Sequence, residues 1–296
     1  MVGHWVAYRP CSKGAVLKLE DQTHASAVTD MQQAHPLSGP IARAERAKRL
    51  WDYFDLQLHF AQAVAATAAL PLADAVAQCT NFYRRFGLGP LQGMPVAPEW
   101  HTYTAHLITL ATHEQRVAWT QAFFMQSSPE TLPPGQQQFG CFSCDPPDAD
   151  GRVRIHFGNR DTDGISPLSH TKMESRKQEL QALFTCVKHT YADAQEVLGG
   201  SWLYHLEAYR RLFPPVYGDS RIVLEGIVRF QGSSSWGQFL DHREGVKPAL
   251  RAQFLANLQK LDLQRLWEVF PLPTYRAHAP LQAFYDFYPI DAAINA

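Results

Sequence analysis

The densest set of residues able to do chemistry lies between Ile155 and His170, in the run IHFGNRDTDGISPLSH. Gly158, Asn159, Arg160, Gly164, Ser166 and Ser169 fall between a β-like run at Arg152–Phe157 and a helical pattern from about Lys172 to Tyr191. A glycine-containing loop that feeds a helix presents unpaired backbone N–H groups and the positive end of the helix dipole, an arrangement suited to phosphate. Asp161 and Asp163 oppose such an anion unless they face away. Together with His156 and His170 they form a second set, of oxygen and nitrogen donors that suit a divalent cation. The same loop also reads as a plain helix lead-in, with Ser169 or Thr171 as the cap and the aspartates shaping turns.

Other patterns are weaker. Cys141 and Cys144 make a Cys-x-x-Cys pair, but no second pair completes a zinc site. In a strand their side chains leave on opposite faces, so they read as two small apolar residues. His113-Glu114 has Val117 where a helical zinc protease needs its second histidine. No Gly-x-Ser-x-Gly elbow, phosphate-binding Gly-Lys-Ser/Thr loop or dinucleotide fingerprint occurs, which disfavours α/β-hydrolases, P-loop NTPases and simple NAD-dependent dehydrogenases. After the turn Gly232–Ser235 come Trp236, Gln238, Asp241, His242 and Arg243. With Trp202, Tyr204 and Glu207 they offer the aromatic and polar lining of a small-molecule pocket, Trp202, Trp236 and Gln238 being the substrate contacts.

These residues need a scaffold, and its pattern changes midway. Residues 1–40 have little periodicity and end in His35-Pro36-Leu37-Ser38-Gly39-Pro40, so they are expected to form an arm. From Ile41 a helical stripe runs through Leu50, Phe54, Leu58, Ala61 and Val64. A second helix ends at Phe86 and a third spans about Pro98 to Met125, giving a bundle over residues 41–130. Past a proline-rich linker, Gln138–Cys144 and Arg152–Phe157 predict a hairpin. Glu196–Tyr204 and Arg221–Gln231 predict further strands, with helices near 247–270 and an aromatic tail that packs back. The expected fold class is therefore α+β, a helical N-terminal bundle followed by a mixed α/β domain over 136–296.

Composition narrows the partners. With 27 basic and 28 acidic residues, no overall field attracts nucleic acid or an anionic membrane. No run of about 18 apolar residues predicts a membrane span. Five cysteines and no secretory pattern favour a reducing, cytoplasmic setting, while the oligomeric state stays open.

The order of hairpin, loop, helix, strand, short helix and strand resembles the second half of GNAT-type N-acyltransferases. That family's loop carries Arg/Gln-x-x-Gly-x-Gly/Ala around the pyrophosphate of acyl-CoA. Arg160, Gly164 and Ser166 give Arg-x-x-x-Gly-x-Ser, one residue longer and ending differently. Gly200-Ser201-Trp202-Leu203-Tyr204 adds a resemblance to an uncharacterised GNAT-like group with a helical N-terminal part. The resemblance covers about a third of the chain. It implies transfer of an acyl group from acyl-CoA to a small acceptor, with acyl-CoA held at Asn159, Arg160, Gly164, Ser166 and Ser169 and no metal expected. It also implies a tyrosine general acid, at Tyr204 or Tyr209, with His156 or His205 as the base. Alternatives left open are a non-catalytic interaction protein and a metal-dependent hydrolase or transferase built on the 156–170 loop.

Overall fold

The computed structural model describes residues 40–89, 96–128, 135–225 and 230–290, so the expected N-terminal arm lies almost wholly outside the described residues. The helical body contains α1 (Pro40–Arg49), α2 (Trp51–Ala68), α3 (Leu72–Cys79), α4 (Phe82–Arg85), α5 (Pro98–Leu107) and α6 (His113–Gln126). The long stripe from Ile41 thus breaks at Leu50 into two helices. α2 closes at Ala69, in the left-handed region at φ 52°, and Pro71 caps α3. The helix expected over 98–125 is likewise two. Thr112 accepts a hydrogen bond from the Gln115 backbone N–H at 3.2 Å, and the Gln115 side chain accepts from that of Thr112 at 3.0 Å. This reciprocal cap satisfies two otherwise orphaned donors and restarts the helix at His113.

The second half contains β1 (Gln137–Phe139), β2 (Phe142–Cys144), β3 (Arg152–Phe157), α7 (Met173–Thr190), β4 (Glu196–Ser201), α8 (Glu207–Arg210), α9 (Pro215–Asp219) and β5 (Ile222–Val223). Then come α10 (Ser233–Trp236), α11 (Pro248–Leu258), β6 (Tyr275–Pro280) and α12 (Leu281–Phe287). The six strands form one mixed sheet ordered β1-β2-β3-β4-β6-β5. β2 and β3 pair antiparallel with Ser143 opposite His156. β3 and β4 run parallel, joined by α7, whose Leu180, Leu183, Phe184 and Val187 are buried. A parallel pair needs such a crossover, and a helix supplies it. The aromatic tail packs back onto α7, with the Phe284 ring 4.5 Å from that of Phe184. The fold is α+β, with the helical region preceding the sheet, and no helix among the described residues is long and apolar enough to cross a membrane.

The two cores do not divide at residue 136. Phe230, Trp236, Phe239, Phe254, Val269 and Phe270 lie in the hydrophobic cluster of the helical body, whereas the strands, α7 and α12 build the other cluster. After β5 the chain therefore returns to the helices and only then enters the sheet again as β6. The strand expected over 221–231 is described only at Ile222–Val223, since 226–229 lie outside the described residues.

An ion cluster ties this returning segment to the helices. Glu244, at φ 62°, receives Arg46 through two nitrogens at 2.5 and 2.7 Å and Arg85 at 3.2 Å. A non-glycine residue rarely adopts that backbone conformation, and here the paired guanidinium groups hold it. Burial pushes the Glu244 carboxyl up, but the hydrogen bonds from Arg46 and the charge of Arg85 outweigh it and lower its pKa to about 2. A carboxyl depressed on folding stabilises above its unfolded pKa and ceases to do so as pH falls through the folded one. Glu244→Gln should therefore cost about 2 kcal/mol at pH 7. In urea titrations the gap from the parent protein should close between about pH 4.5 and pH 2, and a gap independent of pH would refute the assignment.

Candidate functional site

β3 and β4 pair only from Arg152 opposite Glu196 to Arg154 opposite Leu198. Beyond that the two strands keep their outer neighbours, β2 beside 155–157 and β6 beside 199–201, without pairing with each other. The parting lies at the carboxyl ends of two parallel strands, where ligand crevices form in open α/β sheets.

Tyrosines converge there. A Cβ at Gly199 would overlap the hydroxyl oxygens of both Tyr204 and Tyr217, so the absence of a side chain admits them against β4. The two hydroxyls share a hydrogen bond of 2.6 Å. The Tyr209 ring packs on Tyr204 at 5.3 Å and on Phe157 at 5.6 Å. Tyr204 and Tyr209 are 1% and 2% exposed, and burial, first among the causes, pushes both phenols well above the usual tyrosine range, as it does Tyr217. They hold their protons at neutral pH.

The two histidines expected beside them differ in their partners. His156 Nε2 donates to Asp145 Oδ2 at 2.8 Å, which leaves Nδ1 as the acceptor in the neutral ring. Burial raises the Asp145 carboxyl, but hydrogen bonds from His156 and Gln136 outweigh it and hold it below the usual range. His205 Nε2 donates to the Pro273 carbonyl at 2.9 Å, and its ring packs on Tyr275.

The loop after β3 is held by the start of α7, by His242 and by its own turns. Asp163 pairs with Lys172 at 2.5 Å, and Asp161 pairs with Lys172 at 3.4 Å and with buried Arg176 at 3.0 Å. The aspartates do not face away: they neutralise the cations ahead of and within the first turn of α7. Asn159 accepts from the Asp161 N–H and donates to the His242 carbonyl, while the Gly164 carbonyl accepts from His242 Nε2 at 3.0 Å. Gly164 needs its φ of 71° for this turn. The Ser169 hydroxyl bonds that of Thr171, the Ser166 carbonyl receives the Ser169 N–H, and the Arg160 side chain is exposed. The loop does not gather Asp161, Asp163, His156 and His170 around one point, since Lys172 and Arg176 hold the aspartates and Asp145 holds His156. Cys141 receives the Arg160 N–H at 3.4 Å and a hydrogen bond from Arg176, and it lies at the β1–β2 turn while Cys144 lies within β2.

The pocket expected around Trp236 and Gln238 is corrected. Trp236 is wholly enclosed by the helical core. Gln238 is spent on the backbone, donating to the Ser235 and Leu272 carbonyls and accepting from the Leu272 N–H. Neither side chain can touch a ligand. Trp202 is 9% exposed, with Lys247 Nζ 4.9 Å from its ring centre.

One polar cluster went unread in the sequence. Asp55 and His59 on α2 and His113 on α6 bring a carboxylate oxygen and two ring nitrogens within 4.8 Å of one another. The Asp-x-x-x-His spacing, which places two donors on one helix face, was the available signal.

A pair of glycine substitutions tests how closely the tyrosines approach β4. Gly199→Ala should destabilise by about 1–3 kcal/mol through overpacking against rigid rings. At Gly200 the nearest atoms to an added Cβ are 3.8 and 4.0 Å away, so Gly200→Ala should melt close to the parent. Equal melting temperatures for the two variants would refute the close approach of the tyrosines. No family model, curated protein or solved structure matches this chain.

Proposed function

We propose that the α/β half is a GNAT-like N-acyltransferase that moves an acyl group from acyl-CoA to the amine of a small acceptor. The observation that carries this reading is the parting of β3 and β4 at Gly199, with protonated tyrosine hydroxyls set into it. The backbone of 155–157 and 199–201 has no ladder partner across that gap, which the rings of Phe157, Tyr204, Tyr209 and Tyr217 fill, so an extended donor with its own amides pairs there only as those rings swing aside. Its phosphates would then lie toward the loop that leaves β3, near exposed Arg160.

The chemistry needs one acid and one base. The acceptor nitrogen attacks the thioester carbon, the C–N bond forms and the C–S bond breaks. The departing thiolate takes a proton from Tyr204 or Tyr209, whose phenols stay protonated at neutral pH but which burial makes weaker acids and which must be uncovered to reach the sulfur. The amine proton passes through water to Nδ1 of His156, which leaves β3 on the face opposite Phe157 and whose other nitrogen is held by Asp145 as an orienting carboxylate. His205, with Nε2 committed to a carbonyl, is the weaker choice of base.

A thermal shift with acetyl-CoA and longer acyl-CoAs tests the reading. A ligand bound only by the native state at about a hundred times its Kd adds about 2.7 kcal/mol, a rise of several degrees. An unchanged midpoint at concentrations well above micromolar overturns the proposal. If binding is seen, Tyr204→Phe or Tyr209→Phe should lower kcat about a hundredfold, with little change in acyl-CoA affinity.

A further inference from the structure

We infer that Asp55, His59 and His113 form a binding site for a divalent transition-metal ion of the zinc class, independent of the acyl-transfer reading. Asp55 and His59 sit one helical turn apart on α2, and the cap at Thr112 delivers His113 as the first residue of α6. Both imidazoles address the same oxygen: His113 Nε2 lies 2.8 Å and His59 Nε2 3.4 Å from Asp55 Oδ1. The rings stack, their centres 3.9 Å apart and their planes 24° from parallel. Tetrahedral zinc bound at about 2.0–2.2 Å needs donor atoms a little over 3 Å apart; each histidine nitrogen stands near that distance from Asp55 Oδ1, and the rings turn out of their stack for both nitrogens to converge on the ion.

The surroundings suit a metal as well. His113 Nδ1 lies 3.0 Å from the Gln62 side-chain amide, and Asp55 Oδ2 accepts from Arg251 Nη2 at 2.8 Å. Metal-binding imidazoles are oriented by such a partner on the opposite nitrogen. With Nε2 given to the ion, Nδ1 carries the proton and the Gln62 amide turns its oxygen toward it. Arg251 offsets the second carboxylate oxygen, leaving Oδ1 as the ligand. On the solvent side His59 borders an open groove of about 480 Å³, lined also by Gln62, Thr67, Leu258 and Leu261. His59 is 41% exposed on its side chain while Asp55 is 13%, so the triad closes one side of the ion and leaves the other to the groove. Three protein ligands and one position open to water or a small anion is the pattern of exchangeable zinc sites.

The full chain, stripped with chelator and dialysed, should take up one Zn²⁺ per molecule in calorimetry and elemental analysis. Co²⁺ should give the intense visible bands of a four-coordinate site. His59→Ala and His113→Ala should each weaken binding by at least tenfold, and Gln62→Ala by about tenfold through the orienting hydrogen bond. His59 is half-exposed, so its variant should keep the parent's circular dichroism without metal, which separates lost ligation from lost folding. His170→Ala, an exposed histidine on the distant loop, should bind as the parent does. Absence of stoichiometric uptake overturns the site, and so does uptake undiminished in the double variant lacking both His59 and His113.

Discussion

Enclosure of the Trp236 indole by the helical body is the constraint from which the rest of the arrangement follows. Its ring meets Tyr53 and Phe60 of α2, Phe254 of α11 and Phe270 at centroid distances of 4.9–6.5 Å, and its N–H donates to the Cys79 carbonyl at 3.2 Å. Removing a buried aromatic of this kind costs on the order of 3–5 kcal/mol. The anchor pulls the segment after β5 out of the sheet and into the helices. Ser235 and Gln238 then bond Thr274 and Leu272, fixing the point from which β6 sets out at Tyr275. Because β6 separates β4 from β5, the sheet takes its final order only when this detour is in place. The same anchor seats α11, which carries Arg251 to Asp55.

On the sheet side the governing feature is a wedge. Phe157, Tyr209, Tyr204 and Tyr217 pack ring on ring where a longer β3–β4 ladder would otherwise continue. Gly199 lets the phenol oxygens approach the backbone, and the mutual hydrogen bond satisfies groups that would be costly to bury unpaired. Local side-chain packing thus opens the sheet without a break in either strand's outer pairing.

Much of this was legible. The 3.6-residue stripe marked α2 and α7, the β-like runs at 138–144 and 152–157 marked the β2–β3 hairpin, and the aromatic tail announced its own burial. The breaks at Leu50 and at 108–112 were not marked, because apolar periodicity carries across a short interruption while caps decide it. β6 hid because its inward residues are Ala277 and Ala279, too small to register as a hydrophobic alternation. Trp236 and Gln238 read as pocket residues because aromatic-plus-amide composition is common to ligand sites and to buried joints, and only tertiary neighbours separate them. For the Asp55 cluster half the signal was local. The i, i+4 pair is visible in α2, but its third member lies on another helix, and no spacing rule joins them.

The two polar regions also differ in what a ligand must displace. At the loop an arriving phosphate meets cations that already have carboxylate partners. In the Asp163–Lys172 pair the carboxylate is exposed and the lysine side chain 19% so, and exchanging one anion for another there costs less than at a fully buried pair. The Asp161–Arg176 pair is not equivalent: Arg176 is 2% exposed, holds Glu179 at 2.9 Å as well, and bonds the Cys141 sulfur. Breaking one partner from a buried guanidinium leaves an uncompensated charge, a far larger penalty. An anion at this loop must therefore be held by Lys172, Arg160 and backbone amides near its rim, while Arg176 stays with the fold. At Asp55 the balance runs the other way. Its carboxylate stays ionised because hydrogen bonds from His113, His59 and Arg251 outweigh the burial that opposes charge. Two of those three donors become ligands once a metal takes the place of their protons, so the network loses nothing that the ion does not replace.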